Sequence, residues 1–249
     1  MPTHFVKQFT DAALDLVYPP SCGLCHGSLD HHDSSDHRLL CDECFQKLDL
    51  TEDRGCPSCG AKLGPFAPQT PKCVHCRNDR FAFREVVSLG NYQVELKTVC
   101  LQCKEVHAHH LMQQFCDFLF QRHQDLFESW KIDCVICVPQ HWRKRFWGSY
   151  NTSAELAEWM GQNLNKPFLR QLLSKKQHTS DQARLLPSHR RENVKNAFGI
   201  TSGRLIQGRR ILLIDDVLTT GSTADACGRV LKKAGADEIF VAVLARGLG

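Results

Sequence analysis

The stretch ILLIDDVLTTGST, residues 211–223, decides how this chain is read. Ile211 to Ile214 have the composition of a strand buried on both faces. Two carboxylates, Asp215 and Asp216, follow at its end, and then a loop of small hydroxyl residues and glycine, Thr219-Thr220-Gly221-Ser222-Thr223. An alanine-rich helix is predicted over 224–234, stopped by Gly235. Backbone N–H groups at a helix N-terminus attract an anion, and three Thr and one Ser hydroxyl add donors. Gly221 lets the backbone approach closely or take φ > 0. Adjacent acids accept hydrogen bonds from vicinal ribose hydroxyls, or hold Mg²⁺ beside a diphosphate. The site lies at the carboxyl end of a strand, where open α/β sheets bind ligands. The pattern therefore suits a sugar phosphate.

Hydrophobics followed by Asp-Asp-Val-x-Thr-Thr-Gly-x-Thr resemble the phosphoribosyl-diphosphate (PRPP) signature of type I phosphoribosyltransferases. The resemblance implies a parallel α/β sheet covered by helices, with Asp215 and Asp216 as candidate catalytic and ribose-holding groups. It also implies that Thr219, Thr220, Gly221, Ser222 and Thr223 take the 5′-phosphate.

The surrounding chain agrees with an α/β fold. Val86 to Leu89, 132–138 and Ile239 to Leu244 read as strands, Glu95 to Phe120 and Ser153 to Leu164 as helices, the latter capped by Asn151 or Thr152. Alternating helix and strand predicts a parallel sheet. Segment 165–210 is poor in apolar periodicity. Strand 132–138 runs into Pro139 and Gln140, a second candidate anion loop at the same sheet edge. The resemblance makes it the pyrophosphate loop.

The 249 residues allow two domains. We expect 1–80 to form a small cysteine-rich module behind an N-terminal helix, and 81–249 the α/β body. Fourteen cysteines occur without an export signal at the start of the sequence, which in a reducing compartment argues for metal over disulfides. Cys22-x-x-Cys25, Cys41-x-x-Cys44, Cys56-x-x-Cys59 and Cys73-x-x-Cys76 form four knuckles separated by 15, 11 and 13 residues. Two knuckles complete one tetrahedral Zn²⁺ site, so two structural zinc ions are expected. Sequential pairing closes compact ribbons; a cross-brace would join first to third and second to fourth. The segment has few other apolar residues, so metal must supply much of its folding energy. Cys134 and Cys137 fall in a strand and point to opposite faces, as core thiols do. Cys100, Cys103, Cys116 and Cys227 read as buried thiols, and His31, His32 and His37 as an exposed polar loop.

The apolar spacing of Phe5, Val6, Phe9, Ala13, Leu14, Leu16 and Val17 predicts an amphipathic helix ended by Pro19-Pro20. No apolar run reaches the roughly 20 residues a membrane-spanning helix needs. A cytoplasmic protein without membrane insertion is expected.

The formal charge of +4 hides an asymmetry. Residues 140–210 carry 14 Lys and Arg against 4 acids, an excess of +10, which leaves −6 elsewhere. Within that stretch Trp142, Arg143, Lys144, Arg145, Trp147 and Tyr150 interleave cations with aromatics. Cations track a phosphate backbone while aromatic faces stack bases, which marks a candidate single-stranded DNA surface. Arg190 and Arg191 extend the basic candidates. The same three cations would equally grip pyrophosphate.

Zinc knuckles followed by such a domain resemble the competence protein ComF (ComFC/GntX) family over nearly the whole chain. An Arg-Gly-Phe-Asn-Gln element of the family is altered here to Trp147-Gly148-Ser149-Tyr150-Asn151-Thr152. Gly148 and Asn151 remain, one residue is inserted and the glutamine is lost. A second element is matched by Gln182, Leu185, Arg190 or Arg191, Asn193 and Ala197-Phe198, and Lys104 stands at the family's helical lysine. The resemblance implies a role in DNA uptake and natural transformation, with single-stranded DNA and PRPP or a related nucleotide as ligands, Mg²⁺ as companion ion, and DNA-uptake or recombination proteins as further partners. It leaves three readings open: an uptake factor, a nucleobase phosphoribosyltransferase, or a non-catalytic PRPP sensor.

Overall fold

The computed structural model describes residues 21–29, 39–48, 50, 55–64, 72–104, 109–139, 151–175 and 197–247. Two compact units divide between Asp49 and Leu50. The expected N-terminal helix, the His31–His37 loop and the segments 140–150 and 176–196 lie outside the described residues.

In the first unit, α1 (Asp42–Lys47) follows the Cys41 knuckle, with Asp42 and Glu43 in its first turn and Lys47 in its last, as the helix dipole favours. Leu40 and Leu48 are its buried apolar residues among those described, beside Cys22.

The second unit carries the sheet. Its strands are β1 (Glu85–Asn91), β2 (Cys134–Cys137), β5 (Arg210–Leu218) and β6 (Glu238–Arg246), all parallel in the order β1-β6-β5-β2. Ile211 to Ile214 and Ile239 to Ala245 are wholly buried, as expected of strands covered on both faces. β5 runs longer than the sequence suggested: the ladder continues through Asp215 to Val217 and Leu218, paired with Val243, Ala245 and Arg246. The acids are part of the strand, because β6 on its flank is also nine residues long and supplies partners that far.

The single helix expected over 95–120 is two, α2 (Val94–Gln102) and α3 (His109–Arg122), followed by a short α4 (Gln124–Trp130) before β2. α2 ends in a turn at Cys103, which brings Lys104 against the sheet edge. α5 (Thr152–Asn163) begins where predicted; the Asn151 side chain caps it by accepting from the Ala154 N–H at 3.2 Å. Segment 165–210, which showed no clear periodicity, contains a short antiparallel pair, β3 (Leu173–Lys175) and β4 (Phe198–Ile200), and a 3₁₀ turn at Gly203–Ile206. α6 (Ser222–Lys233) returns from β5 to β6 and buries Ala224, Ala226, Cys227, Gly228 and Leu231. Gly235, at φ +97°, follows it. No described helix is long and apolar enough to cross a membrane.

Candidate functional site

At the carboxyl edge of the sheet, β5 places Asp215 and Asp216 next to each other. Neighbouring residues in a strand point to opposite faces, so each acid meets a different helix. Asp215 accepts from the Ser153 hydroxyl of α5 at 3.1 Å and from the Asp216 N–H at 3.0 Å. Asp216 pairs with the Lys104 ammonium at 2.8 Å and accepts from the Val217 N–H at 2.8 Å. Burial, reinforced by the charge of Asp216, pushes the Asp215 carboxyl up to about 8, against the pull of its hydrogen-bond donors. Burial would lower the Lys104 ammonium, but Asp216 outweighs it and the net shift is upward.

The loop after β5 turns through Gly221, at φ +73°, directly into α6. Only glycine fits easily: a Cβ there would lie 3.0 Å from the Phe81 ring. The hydroxyls of Thr220 and Ser222 bond each other at 2.7 Å inside the turn, and Thr219 is exposed at its rim. The first turn of an α-helix leaves backbone N–H groups without intrahelical acceptors, so the loop and α6 together offer donors that could receive an anion. Thr223 occupies that first turn. Pro139 lies just beyond β2; the N–H of Val138, between them, donates to the Ile214 carbonyl of β5 at 2.8 Å, so both predicted anion loops start at one sheet edge. Gln140 lies outside the described residues, as do Trp142, Arg143, Lys144, Arg145, Trp147, Tyr150, Arg190 and Arg191.

Two groups at this edge were not sequence candidates. Ser153 gives no motif signal; it reaches Asp215 only because α5 packs on β2 and β5. Arg246, at the end of β6, is 7% exposed and also carries no local signature.

Eight cysteines gather as two groups of four, Cys22, Cys25, Cys41, Cys44 and Cys56, Cys59, Cys73, Cys76, the sulfurs of each group within 4.8 Å of one another. Knuckles thus pair sequentially, and the cross-brace is excluded. Sulfur separations include 3.8 Å for Cys25–Cys41, 3.7 Å for Cys56–Cys76 and 3.5 Å for Cys59–Cys73. A regular ZnS₄ tetrahedron with Zn–S near 2.3 Å has edges of about 3.8 Å, whereas a disulfide is about 2.05 Å long. The sets fit zinc. Zinc would supply folding energy here, with every coordination position taken by thiolate. The other cysteines are core: Cys100, Cys103, Cys116, Cys134 and Cys227 are wholly buried and Cys137 nearly so, and burial pushes each thiol up.

A double zinc ribbon domain matches residues 13–80, and a phosphoribosyl transferase domain matches residues 152–248. Competence protein F of Haemophilus influenzae is 28% identical over 195 residues, covering 77% of this chain and 84% of its own. This chain is a homologue of Competence protein F. The DNA utilization protein YhgH of Salmonella typhi is also 28% identical, over 244 residues that cover 94% of this chain and all of YhgH. An adenine phosphoribosyltransferase of Kineococcus radiotolerans is 44% identical over 48 residues, 19% of this chain and 26% of that enzyme. The chain thus joins a zinc ribbon to a phosphoribosyltransferase-like sheet.

Proposed function

We propose that the protein is a cytoplasmic DNA-uptake factor of natural transformation that binds single-stranded DNA and, at the β5 edge, PRPP or a related nucleotide with Mg²⁺. The observation that carries this reading is the acid pair and hydroxyl loop at the carboxyl edge of β5, in a chain homologous to competence and DNA-utilization proteins. Residues 1–80 would carry the metal, and 81–249 the ligand site. Asp215 and Asp216 would accept the ribose hydroxyls, and Thr219 to Thr223 would take the 5′-phosphate. Their hard carboxylate oxygens suit Mg²⁺, which would neutralise the diphosphate. Pro139 and Gln140 would face the pyrophosphate. Trp142, Arg143, Lys144, Arg145, Trp147 and Tyr150, with Arg190 and Arg191, would meet the DNA strand, and uptake or recombination proteins would supply it.

Nucleobase phosphoribosyl transfer is the second reading, favoured by the matched transferase domain. It would need charge stabilisation and positioning with no protein nucleophile. A PRPP sensor without turnover is the third reading; it rests on the same site, and only turnover separates it from an enzyme. The test is binding of fluorescent single-stranded DNA to zinc-replete protein across a salt series, with and without PRPP and Mg²⁺. Salt-sensitive binding that shifts on adding PRPP supports the first reading. No binding at low salt, with pyrophosphate released in a base screen, would replace it with the second.

A further inference from the structure

The second zinc ribbon and the phosphate loop belong to one compact unit and share side chains. Arg246 is the main link. Its buried guanidinium donates from Nε to the Cys59 carbonyl at 2.5 Å. From Nη1 it donates to Leu218 at 3.1 Å, and also to the carbonyls of Thr219 and Gly247. One arginine thus clamps a zinc knuckle to the two residues that open the phosphate loop. The knuckle sits close because Gly60, at φ +71°, turns there; a Cβ at Gly60 would lie 3.7 Å from Arg246 Cδ. Phe81 is a second link: it packs against the Cys56–Cys76 cluster and its ring fills the space above Gly221. A third runs through Asp225 in the first turn of α6, which accepts from the Ala82 N–H at 2.8 Å. The Val86 N–H, donating to Pro57 at 2.8 Å, anchors the same knuckle to β1.

We infer that the zinc centre of Cys56, Cys59, Cys73 and Cys76 is a working part of the phosphoribosyl site, with Arg246 as the positioning residue that couples metal occupancy to the shape of the Thr219–Thr223 loop. Zinc fixes the backbone of the knuckle, and therefore the Cys59 carbonyl. Without it the guanidinium loses its anchor. A cation held by fewer carbonyls is costly to bury, so it moves, and the Leu218–Thr219 turn moves with it. The inference rests on the loop binding a phosphoribosyl ligand. Coupling between sites is reciprocal, so ligand in the loop must also hold zinc in the second ribbon.

That reciprocity gives a test on the intact chain. Zinc transfer to a chromogenic chelator is titrated to equilibrium with and without saturating Mg²⁺-PRPP, after binding has been established by calorimetry. The first ribbon serves as internal reference, and Cys22→Ser assigns the two sites. We expect PRPP to tighten zinc at the Cys56–Cys76 site by about fivefold or more and leave the first site unchanged. Arg246→Met should abolish the difference while the protein still purifies with both zinc ions. Arg246→Lys, which keeps charge but cannot fork across several carbonyls, should leave a reduced difference. Equal zinc affinity with and without bound PRPP, equal tightening of both sites, or full coupling in Arg246→Met would overturn the inference. Absence of PRPP binding in the zinc-replete wild type overturns instead the functional reading beneath it.

Discussion

At the scale of single residues, Asp215 holds the most consequential proton. Its carboxyl is raised to about 8, so the folded chain keeps a proton that the unfolded chain releases near the ordinary carboxylate range. Stability from that proton is complete at low pH and is lost as pH rises toward 8. A ligand that donates hydroxyls to Asp215, or brings Mg²⁺, selects the ionised form, so its binding strengthens over the same window and releases a proton. Calorimetry of PRPP binding in buffers of different ionisation enthalpy should read that release at pH 7, and affinity should rise by up to about tenfold per unit between pH 6 and 8. Asp215→Asn should flatten the pH dependence of stability and raise the melting temperature at pH 8 by about 3 °C or more. The same variant should lose PRPP affinity at every pH. A wild-type affinity that is flat from pH 6 to 8 would refute this role.

At the scale of elements, the β5–loop–α6 unit is where local sequence and tertiary setting meet. The φ of +73° at Gly221 alone asks for glycine, and Phe81 adds a steric demand from a distant segment. Gly221→Ala should destabilise by about 1–3 kcal/mol in urea melts and weaken phosphoribosyl binding. Phe81→Leu in that background should recover the steric part and leave the backbone part. This unit was almost fully legible in the sequence. Four apolar residues, two acids and a small-residue loop are local signals, and the helix after them has a clean apolar face. What escaped is what depends on packing. The ladder ran on through Asp215 and Asp216 because β6 lies alongside, and α2 stops at Gln102 with Lys104, two residues on, paired to Asp216 from the distant β5. Neither has a period to read. The zinc knuckles were legible for the opposite reason: each ligand pair is three residues apart, and the metal geometry leaves little choice.

At the scale of the whole molecule, metal and charge are the levers. Zinc analysis should give about two ions per chain, falling to about one in Cys22→Ser and in Cys56→Ser; full zinc content in either would contradict the ligand sets. If the cations 143–145 track a DNA strand, replacing all three with alanine should reduce the slope of log affinity against log salt by about 2. An unchanged slope would remove them from the interface.

The order β1-β6-β5-β2 has a consequence for synthesis. β1 is the first strand of the sheet to leave the ribosome, and its sheet neighbour β6 is the last of the described strands. A nascent chain that has not yet reached Glu238 therefore exposes the hydrogen-bonding edges of both β1 and β5, with Val86, Val87 and Leu89 on one and Ile211 to Ile214 on the other. Sequence-distant pairing of this kind is slow, and open apolar edges invite other chains. Ribosome pausing ahead of Glu238, or a stop codon there, would leave a zinc-loaded fragment that depends on chaperones, and pulse-chase solubility would report it.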